Sequence, residues 1–319
     1  CSVICVWYTT HVSKVGLVPL KEGKVIMEKY SKPVIIDCDP GIDDAAALFM
    51  ALNSDTLDVR ALTTVFGNVS VEQTTINALK ILEVAERTDI PVYRGAGRTF
   101  DFKDPHYATH IHGDDGLGNT SFPEPVTVLK SDHAVNATID IVMNNPGKVS
   151  YVALGRLTNL ALAINMEPSL VDNITEVVVM GGAIHQPGNS TPVAGANLYG
   201  DVFAASIVYD SGLNIAQVGL DVCNKVEITK QQQENIWTLD SKVSNFLKEI
   251  TPFIRNAYGK IGTAHEGAVR YNDMPAIGYA IDSSLFICER LKMAIETQGQ
   301  YTKGQTVNGS HRDFIEDAN

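Results

Sequence analysis

The sequence is poor in basic residues. It contains 25 Lys and Arg against 37 Asp and Glu, which gives a formal net charge of −12 at pH 7. Proteins that bind nucleic acid need a basic surface to neutralise phosphates, and attraction to anionic membranes needs basic clusters as well. We therefore expect neither nucleic acid nor a membrane as a partner, and small neutral ligands and metal cations remain.

Cysteines and long apolar runs are also scarce. The five cysteines are scattered, and no CxxC pair occurs, which argues against a disulfide framework and a cysteine zinc site. No apolar stretch is long enough to span a bilayer. Two N-x-S/T sequons, at Asn68 and Asn189, fall at positions assigned to the site below, where a glycan would block it. We therefore expect a cytoplasmic protein, and a secreted form remains the alternative because the N-terminus, which does not begin with Met, looks incomplete.

What the sequence does have is a regular alternation of strands and helices. Its 319 residues, 45% of them hydrophobic, suffice for one large domain. Buried strands alternate with helical segments, which predicts an open, mostly parallel (mixed) α/β sheet, Rossmann-like, with helices on both faces and the ligand site at the carboxyl ends of the strands. Residues 1–30 show no clear period and are interpreted as a variable N-terminal extension to a single domain over 31–319. The predicted strands lie at 34–36, 57–65, 91–93, 149–154, 176–180, 214–218, 292–296 and 305–307.

Carboxylates are concentrated where the first of these strands ends. Asp37, Asp39, Asp43 and Asp44 surround one strand-to-helix turn. Asp43 is placed to cap the helix that follows, but a cap explains one Asp and leaves three. Like charges at this spacing repel unless a cation neutralises them. Oxygen ligands of this kind suit Ca²⁺ or Mg²⁺.

A long polar, glycine-rich segment at 98–124 carries His106, His110 and His112. Loops of this length inside a compact domain are usually functional. Clustered histidines are compatible with zinc, but the sequence has no HExxH helix. We therefore favour a lid over a substrate site and keep zinc as the weaker alternative.

Three other positions have ordinary structural interpretations. Asp273 stands where a helix N-cap would lie, with Pro275 near the start of that helix. Asn189 and Asn197 lie in a loop in which asparagine favours turns. On the residue pattern alone, capping and turn formation are the preferred interpretations.

Several sequence blocks together resemble one enzyme family, the nucleoside hydrolases, which are calcium-dependent N-ribohydrolases. The similarity extends from about Pro33 to Val307, and the blocks occur in family order. They are Asp37-Cys-Asp-Pro-Gly-Ile-Asp-Asp44, Thr63–Asn68, His112–Gly118, Gly155–Ala163, Val179–Gly182, Gly188–Asn197 and Thr297–Gly304.

The resemblance implies a Ca²⁺ ion held by Asp39, Asp44, the Leu154 carbonyl and Asp273. It also implies that Asp39 is the general base. The implied reaction is hydrolysis of the N-glycosidic bond of ribonucleosides, purine or pyrimidine, to ribose and free base. The implied assembly is a homodimer or homotetramer.

The resemblance also assigns a substrate pocket. Asp43, Asn68 and Asn197 match positions that hold the 2′- and 3′-hydroxyls, and Met180 and Asn189 match positions that line the sugar pocket. We count two further residues as substrate-binding, His112 and Asn272.

The chain departs from the family pattern at two positions. Gly195 stands where many members place a Glu that binds the 5′-hydroxyl, and Asn272 stands where many carry a His that protonates the leaving base. Neither replacement offers a titratable group. His265, Tyr258 and Tyr271 are candidates to serve the base instead. Because members continue into a final strand and helix, we also expect a truncated C-terminus.

Two alternatives remain open. The Gly195 and Asn272 departures are compatible with a weakly active or inactive homologue that binds nucleoside or ribose. A strand followed by Asp37-x-Asp39 also fits phosphatases of the haloacid dehalogenase type superficially. That class places Thr or Val where this chain has Gly41, and it gives Asp43 and Asp44 no role.

Overall fold

The computed structural model describes the backbone of Ser2–Val6 and, with side chains, residues 31–262 and 264–309. Its core is an eight-stranded sheet, and two further strands pair antiparallel beside it. The sheet strands are β1 (Ser2–Val6), β2 (Lys32–Cys38), β3 (Leu57–Thr64), β4 (Val92–Arg94), β5 (Val149–Ala153), β6 (Ile174–Met180), β7 (Ile215–Val218) and β8 (Ile287–Leu291), and the additional pair is β9 (Met293–Ile295) and β10 (Thr306–Asn308).

The strand order in the sheet is β4-β3-β2-β5-β6-β7-β1-β8. All neighbouring pairs are parallel except β1 and β8, which are antiparallel. The prediction of a mostly parallel, mixed sheet is therefore confirmed.

Helices fill the connections between the strands. Those of the first half are α1 (Ile42–Leu52), α2 (Val71–Val84), α3 (Thr109–His112), α4 (Ala134–Met143), α5 (Thr158–Met166) and α6 (Leu170–Asn173). Those of the second half are α7 (Ala196–Gly200), α8 (Val202–Asp210), α9 (Leu220–Cys223), α10 (Lys230–Trp237), α11 (Lys242–Ile261) and α12 (Met274–Ile281), followed by a 3-10 turn at Ser283–Leu285. Among the described residues, no helix combines the length and the apolar character that crossing a membrane requires.

Strand β2 shows that both faces of the sheet are covered. Successive side chains of a strand point to opposite faces. Ile36 packs into one apolar cluster with helices α1 and α12, whereas Ile35 packs into a second cluster with α5 and α8. A strand buried on both faces explains the continuous apolar run that ends in the turn at Asp37–Asp44, here called the acidic turn.

The sheet topology locates the site. From β2 the chain moves outward through β3 and β4, then returns to β5 on the other side of β2 and continues through β6 and β7. The strand order therefore reverses between the neighbouring strands β2 and β5, and in open α/β sheets ligands bind at the carboxyl ends of the strands at such a point. The Leu154 amide donates to the Asp37 carbonyl at 2.7 Å, which places the end of β5 beside the acidic turn.

The structure differs from the sequence prediction at the N-terminus. Ser2–Val6 form β1 within the sheet, parallel to β7 and antiparallel to β8. This five-residue run is too short to show a period, and strands buried in sheets need none. Cys1 and residues 7–30 of the predicted extension, and residues 310–319 at the expected truncation, lie outside the described residues.

Asn159 joins three strand ends beneath the site. Its amide donates to Asp37 Oδ1 at 2.8 Å and to the Thr64 carbonyl at 3.0 Å, and its Oδ1 accepts from the Ala96 amide at 2.8 Å. The side chain is 1% exposed, so water cannot replace these bonds.

We predict that Asn159→Ala lowers the free energy of unfolding by about 2–4 kcal/mol, because three buried hydrogen bonds are lost. The Ala96 amide loses its partner, whereas Asp37 Oδ1 still accepts from Thr63 and the Thr64 carbonyl still accepts from Gly95. The matched control is Gln231→Ala, which removes an exposed amide that donates to Asn235, with an expected change within about 0.5 kcal/mol. Urea unfolding followed by circular dichroism measures both. A loss below about 1 kcal/mol for Asn159→Ala would contradict the role of this residue.

Candidate active site

The acidic turn folds around Asp44. Helix α1 starts after Gly41, and the Asp44 carboxylate accepts from the backbone amides of Gly41 at 2.9 Å and Asp39 at 3.2 Å. The side-chain amide of Asn68 donates to the same carboxylate at 2.9 Å. The prediction that Asp43 caps this helix is therefore wrong: Gly41 is the N-cap, Asp44 bonds back to the Gly41 amide, and Asp43 lies in the first turn and lines the cavity.

Asp39 lies in a narrow slot between two strand exits. Its Oδ2 accepts from the Asn68 amide at 2.8 Å. A Cβ at Gly67 would overlap the Asp39 carboxylate, and one at Gly155 would lie 2.8 Å from its Oδ1. Glycine at both exits therefore lets the backbone approach the carboxylate closely.

Asp273 reaches the acidic turn from the far end of the chain. It does occupy the N-cap position of α12, as its sequence context predicts, yet its side chain makes no capping hydrogen bond. Instead, its carboxylate lies with those of Asp43 and Asp44, each contributing an oxygen within 4.8 Å of the others. All three residues are buried.

The electrostatics of this group favour a cation. Burial raises the pKa of Asp43 and of Asp44 to about 6, with like charge from Asp43 adding to the effect at Asp44. Burial, followed by the neighbouring carboxylates, raises the pKa of Asp39 and Asp273 well above the usual range. Asp43 Oδ1 is buried without a hydrogen-bond partner in the described residues. An all-oxygen donor set with an unpartnered buried oxygen fits a hard cation such as Ca²⁺.

Asp39 lies outside the group of three but belongs to the same environment. It interacts electrostatically with Asp44 and with Asp273. Among the described residues, the histidines form no comparable metal-binding group, so the zinc alternative has no support in this part of the chain.

A cavity of about 950 Å³ opens above the acidic turn. Asp44 is fully buried below the cavity and does not line it, but its carboxylate accepts from Asn68, which does. The other sequence-predicted site residues all line the cavity: Asp39, Asp43, Asn68, His112, Leu154, Met180, Asn189, Asn197, Asn272 and Asp273.

Asn197 ties two strand ends together at the cavity wall. Its side-chain amide donates to the Leu154 carbonyl at 2.5 Å and to the Met180 carbonyl at 3.0 Å. The Leu154 carbonyl is therefore not free of partners, contrary to the expectation from the end of its strand, although a carbonyl oxygen retains a second lone pair. Asn189 fills the turn role expected for asparagine, since its Oδ1 accepts from the Ala196 amide at 2.9 Å.

His112 closes the cavity from the side of the predicted lid. Its Nδ1 accepts from the Ile42 amide at 3.1 Å and lies 3.7 Å from Asp43 Oδ1. Burial lowers the pKa of His112 to about 4, so the ring is neutral near pH 7 and carries its proton on Nε2. Its free N–H is thus a donor available to a ligand.

Comparisons with known proteins agree with this geometry. The family model for the inosine-uridine preferring nucleoside hydrolases matches residues 34–319. The chain is 38% identical over 278 residues to the inosine-uridine preferring nucleoside hydrolase of Leishmania major, covering 86% of this chain and 87% of the relative. It is 40% identical over 291 residues to the probable uridine nucleosidase 2 of Arabidopsis thaliana, covering 90% and 89%.

The chain belongs to the nucleoside hydrolase family.

Solved structures show the same relationship. A plant nucleoside hydrolase superposes with a TM-score of 0.82 at 36% identity, covering 88% of this chain and 87% of that one. A purine-preferring ribonucleoside hydrolase from Gardnerella vaginalis superposes with a TM-score of 0.84 at 30% identity, covering 88% and 89%. The protein is thus a hydrolase that acts on N-glycosyl compounds, and the phosphatase alternative falls.

Of the three residues considered for the leaving base, Tyr258 alone lines the cavity. The Asn272 amide donates to the Tyr258 hydroxyl at 2.8 Å. His265 points outward and pairs with Glu227 at 2.6 Å, and Tyr271 is buried against Thr251.

Arg156 is a cavity residue that the sequence alone did not single out. It is 7% exposed, and its Nη2 donates to the His106 carbonyl at 2.6 Å. The available signal was its position directly after Gly155, at the exit of β5, where a charged residue so close to a buried strand is unusual.

A cation bound among these carboxylates should stabilise the nucleoside hydrolase to an extent that depends on pH. A folded pKa raised from 3.8 to about 6 for Asp43 and Asp44 contributes stability to the metal-free protein below pH 3.8 that is lost as the pH rises through 6. We therefore expect the increase in Tm caused by Ca²⁺ over EDTA to grow between about pH 4 and pH 7. Differential scanning fluorimetry across this range measures it, and an increase independent of pH would contradict the assignment.

Proposed function

We propose that this nucleoside hydrolase cleaves the N-glycosidic bond of ribonucleosides, purine or pyrimidine, to ribose and free base in a calcium-dependent reaction. The observation that carries the proposal is the group of buried carboxylates, Asp43, Asp44 and Asp273, whose oxygens lie within 4.8 Å of one another. Two of these residues line the cavity, and Asp44 lies directly below it. The relatives' names, inosine-uridine preferring hydrolase and probable uridine nucleosidase, support the substrate class.

The residues we assign to the cation are Asp39, Asp44, the Leu154 carbonyl and Asp273. When bound, Ca²⁺ would lower the pKa of water and hold vicinal hydroxyls. Hydrogen bonds hold the assigned ligand atoms in place: Asn197 donates to the Leu154 carbonyl, and Asn68 donates to both Asp39 and Asp44. Preset geometry of this kind removes part of the entropic cost of the reaction.

Asp39 is the general base in this proposal. A general base must be ionised before it can accept a proton, and burial, which raises the pKa of Asp39, opposes its ionisation. A cation bound beside Asp39 would offset this effect and keep the carboxylate ionised. The Asn68 amide keeps the carboxylate oriented toward the cavity. As the glycosidic bond stretches, positive charge develops on the ribose, and the surrounding carboxylates stabilise it.

The ribose would be held by Asp43, Asn68 and Asn197 through its 2′- and 3′-hydroxyls, with Met180, Asn189 and His112 around it. Gly195, which precedes α7, offers no side chain to the 5′-hydroxyl. A Cβ at that position would lie 3.0 Å from the Gly182 amide, so the wall is closed there by backbone. We expect weaker selection at the 5′ position than a carboxylate would give.

For the leaving base we propose Tyr258 as the hydrogen-bond donor. Because its hydroxyl accepts from Asn272, its own proton is free to point elsewhere. Burial raises the pKa of Tyr258 above its usual range, so the hydroxyl stays protonated. Asn272 cannot titrate and acts here by orienting the tyrosine.

The decisive assay incubates the protein with inosine or uridine, with and without EDTA, and measures reducing sugar. We predict metal-dependent ribose release, and a decrease in kcat of at least about 100-fold in Asp39→Ala, because the base is lost. Asp172→Ala, at an exposed carboxylate, is the control and should retain activity. Saturable nucleoside binding without turnover would favour the inactive-homologue alternative, and full activity in Asp39→Ala would mean that the base is misassigned.

The role of Tyr258 has its own test. We predict that Tyr258→Phe lowers kcat for inosine or uridine by about 10–100-fold but leaves p-nitrophenyl riboside nearly unaffected, because nitrophenolate leaves without a proton. Tyr301→Phe, at a tyrosine that is 81% exposed, controls for the substitution. An equal loss with all substrates would show that Tyr258 does not serve the base.

The homodimeric or homotetrameric assembly and the cytoplasmic location stay predictions. The first rests on the family resemblance. The second rests on the sequons at Asn68 and Asn189, whose glycosylation would block the cavity wall that both residues line.

A further inference from the structure

Arg156 is a buried cation that the proposed mechanism leaves without a task. Its guanidinium lies 4.5 Å above the ring centroid of Phe66, and its Nη2 donates to the His106 carbonyl at 2.6 Å. Its Nη1 is buried without a hydrogen-bond partner in the described residues. Burying a guanidinium this deeply is costly unless the charge is paired and fully hydrogen-bonded, so we ask what this position does for the protein.

The partner of Arg156 belongs to the segment that covers the cavity. We call residues 99–112 the roof segment. It is fastened at one end by the Phe100 amide, which donates to Asp201 Oδ2 at 2.9 Å. At the other end the Ala108 amide donates to the Asn68 carbonyl at 3.0 Å, and His112 accepts from Ile42.

Among the described residues, a single hydrogen bond joins the middle of the roof segment, residues 101–107, to the rest of the chain. In the described chain, the hydrogen bonds of residues 101–107 stay within the segment, apart from the one that the His106 carbonyl accepts from Arg156. Phe102 in this stretch is 82% exposed and contributes little packing. The position of the roof middle therefore depends on the guanidinium.

Arg156 is also coupled to the proposed base. Its charge acts on Asp39 and on Asp201, and it is the attractive partner of Asp39 among several repulsive ones. Asn68 provides a second link, because its amide donates to Asp39 while its carbonyl accepts from Ala108 of the roof segment. Arg156 and Asn68 thus each interact with both the roof segment and the Asp39 carboxylate.

We propose that Arg156 is a positioning residue with two effects: it holds the roof segment closed over the cavity, and its charge keeps the Asp39 carboxylate oriented for catalysis. A closed roof excludes bulk water and completes the pocket around the substrate. The effect on turnover rests on the proposed hydrolysis, whereas the effect on the roof segment does not.

Gly200 offers a way to move Arg156 without changing its charge. A Cβ built at Gly200 would overlap Arg156 Nε. Gly200→Ala therefore displaces the guanidinium, whereas Arg156→Met removes it and Arg156→Lys keeps its charge. Gly259→Ala is the matched control, because nothing lies within 4 Å of a Cβ at that helical position.

Two measurements test the proposal. Hydrogen–deuterium exchange of the roof segment should accelerate about 10-fold or more in Arg156→Met and Gly200→Ala, the factor expected for loss of one charged hydrogen bond. KM for uridine should rise in both variants by a similar factor. The kcat should fall in Arg156→Met and recover toward the wild-type value in Arg156→Lys, which restores the charge near Asp39. Gly259→Ala should match the wild type throughout.

Unchanged exchange of the roof segment in folded Arg156→Met and Gly200→Ala would overturn the proposal. Faster exchange with unchanged KM and kcat would also overturn it, because Arg156 would then support the fold alone. If Arg156→Met does not fold, Gly200→Ala and Arg156→Lys decide the question. If the wild type does not release ribose, the proposed function fails, and exchange together with the uridine affinity from calorimetry still tests the roof.

Discussion

The structure depends on one electrostatic constraint: several carboxylates are buried together where water screens their charges poorly. Asp39, Asp43 and Asp44 come from one turn and Asp273 from the start of α12, and all are nearly inaccessible. Mutual repulsion and burial raise their pKa values. A divalent cation is the simplest partner for such a group, and the ribose chemistry proposed here follows from its position.

The fold provides the position. Strand order reverses between β2 and β5, so the exits of these strands part and leave a crevice. Glycines at Gly67 and Gly155 let neighbouring backbone close around Asp39. Asparagines then do most of the ordering: the side-chain amides of Asn159 and Asn197 each bond two strand ends. Asn68 bonds the turn after β2 through its backbone amide, which donates to Asp39, and its side-chain amide, which donates to Asp44. These neutral donors stabilise carboxylates and carbonyls without competing with a cation for the negative charge.

Much of this could be predicted from the sequence, because it is local. Apolar strands ending in glycine or aspartate predict the parallel sheet, and the spacing of Asp37 to Asp44 predicts an acidic strand exit. Which carboxylate caps α1 could not be predicted, since Asp43 and Asp44 differ only in the direction their side chains take. The strand Ser2–Val6 was missed because five residues carry no measurable period.

Contacts between distant residues were the other limit. Asp273 looks like an ordinary cap in sequence, and only its missing cap bond, together with its proximity to Asp43 and Asp44, shows a different role. The pairing of Asn272 with Tyr258 and of Arg156 with His106 joins residues 14 and 50 positions apart. No local pattern reports such pairs, so the leaving-base donor and the roof contact emerge only from the folded chain.

An anomalous difference map from crystals of the protein grown with Ca²⁺ locates the cation most directly. We predict one peak beside the acidic turn, with oxygens of Asp39, Asp44 and Asp273 at about 2.3–2.6 Å. A fully occupied calcium ion elsewhere, with none among these carboxylates, would contradict it.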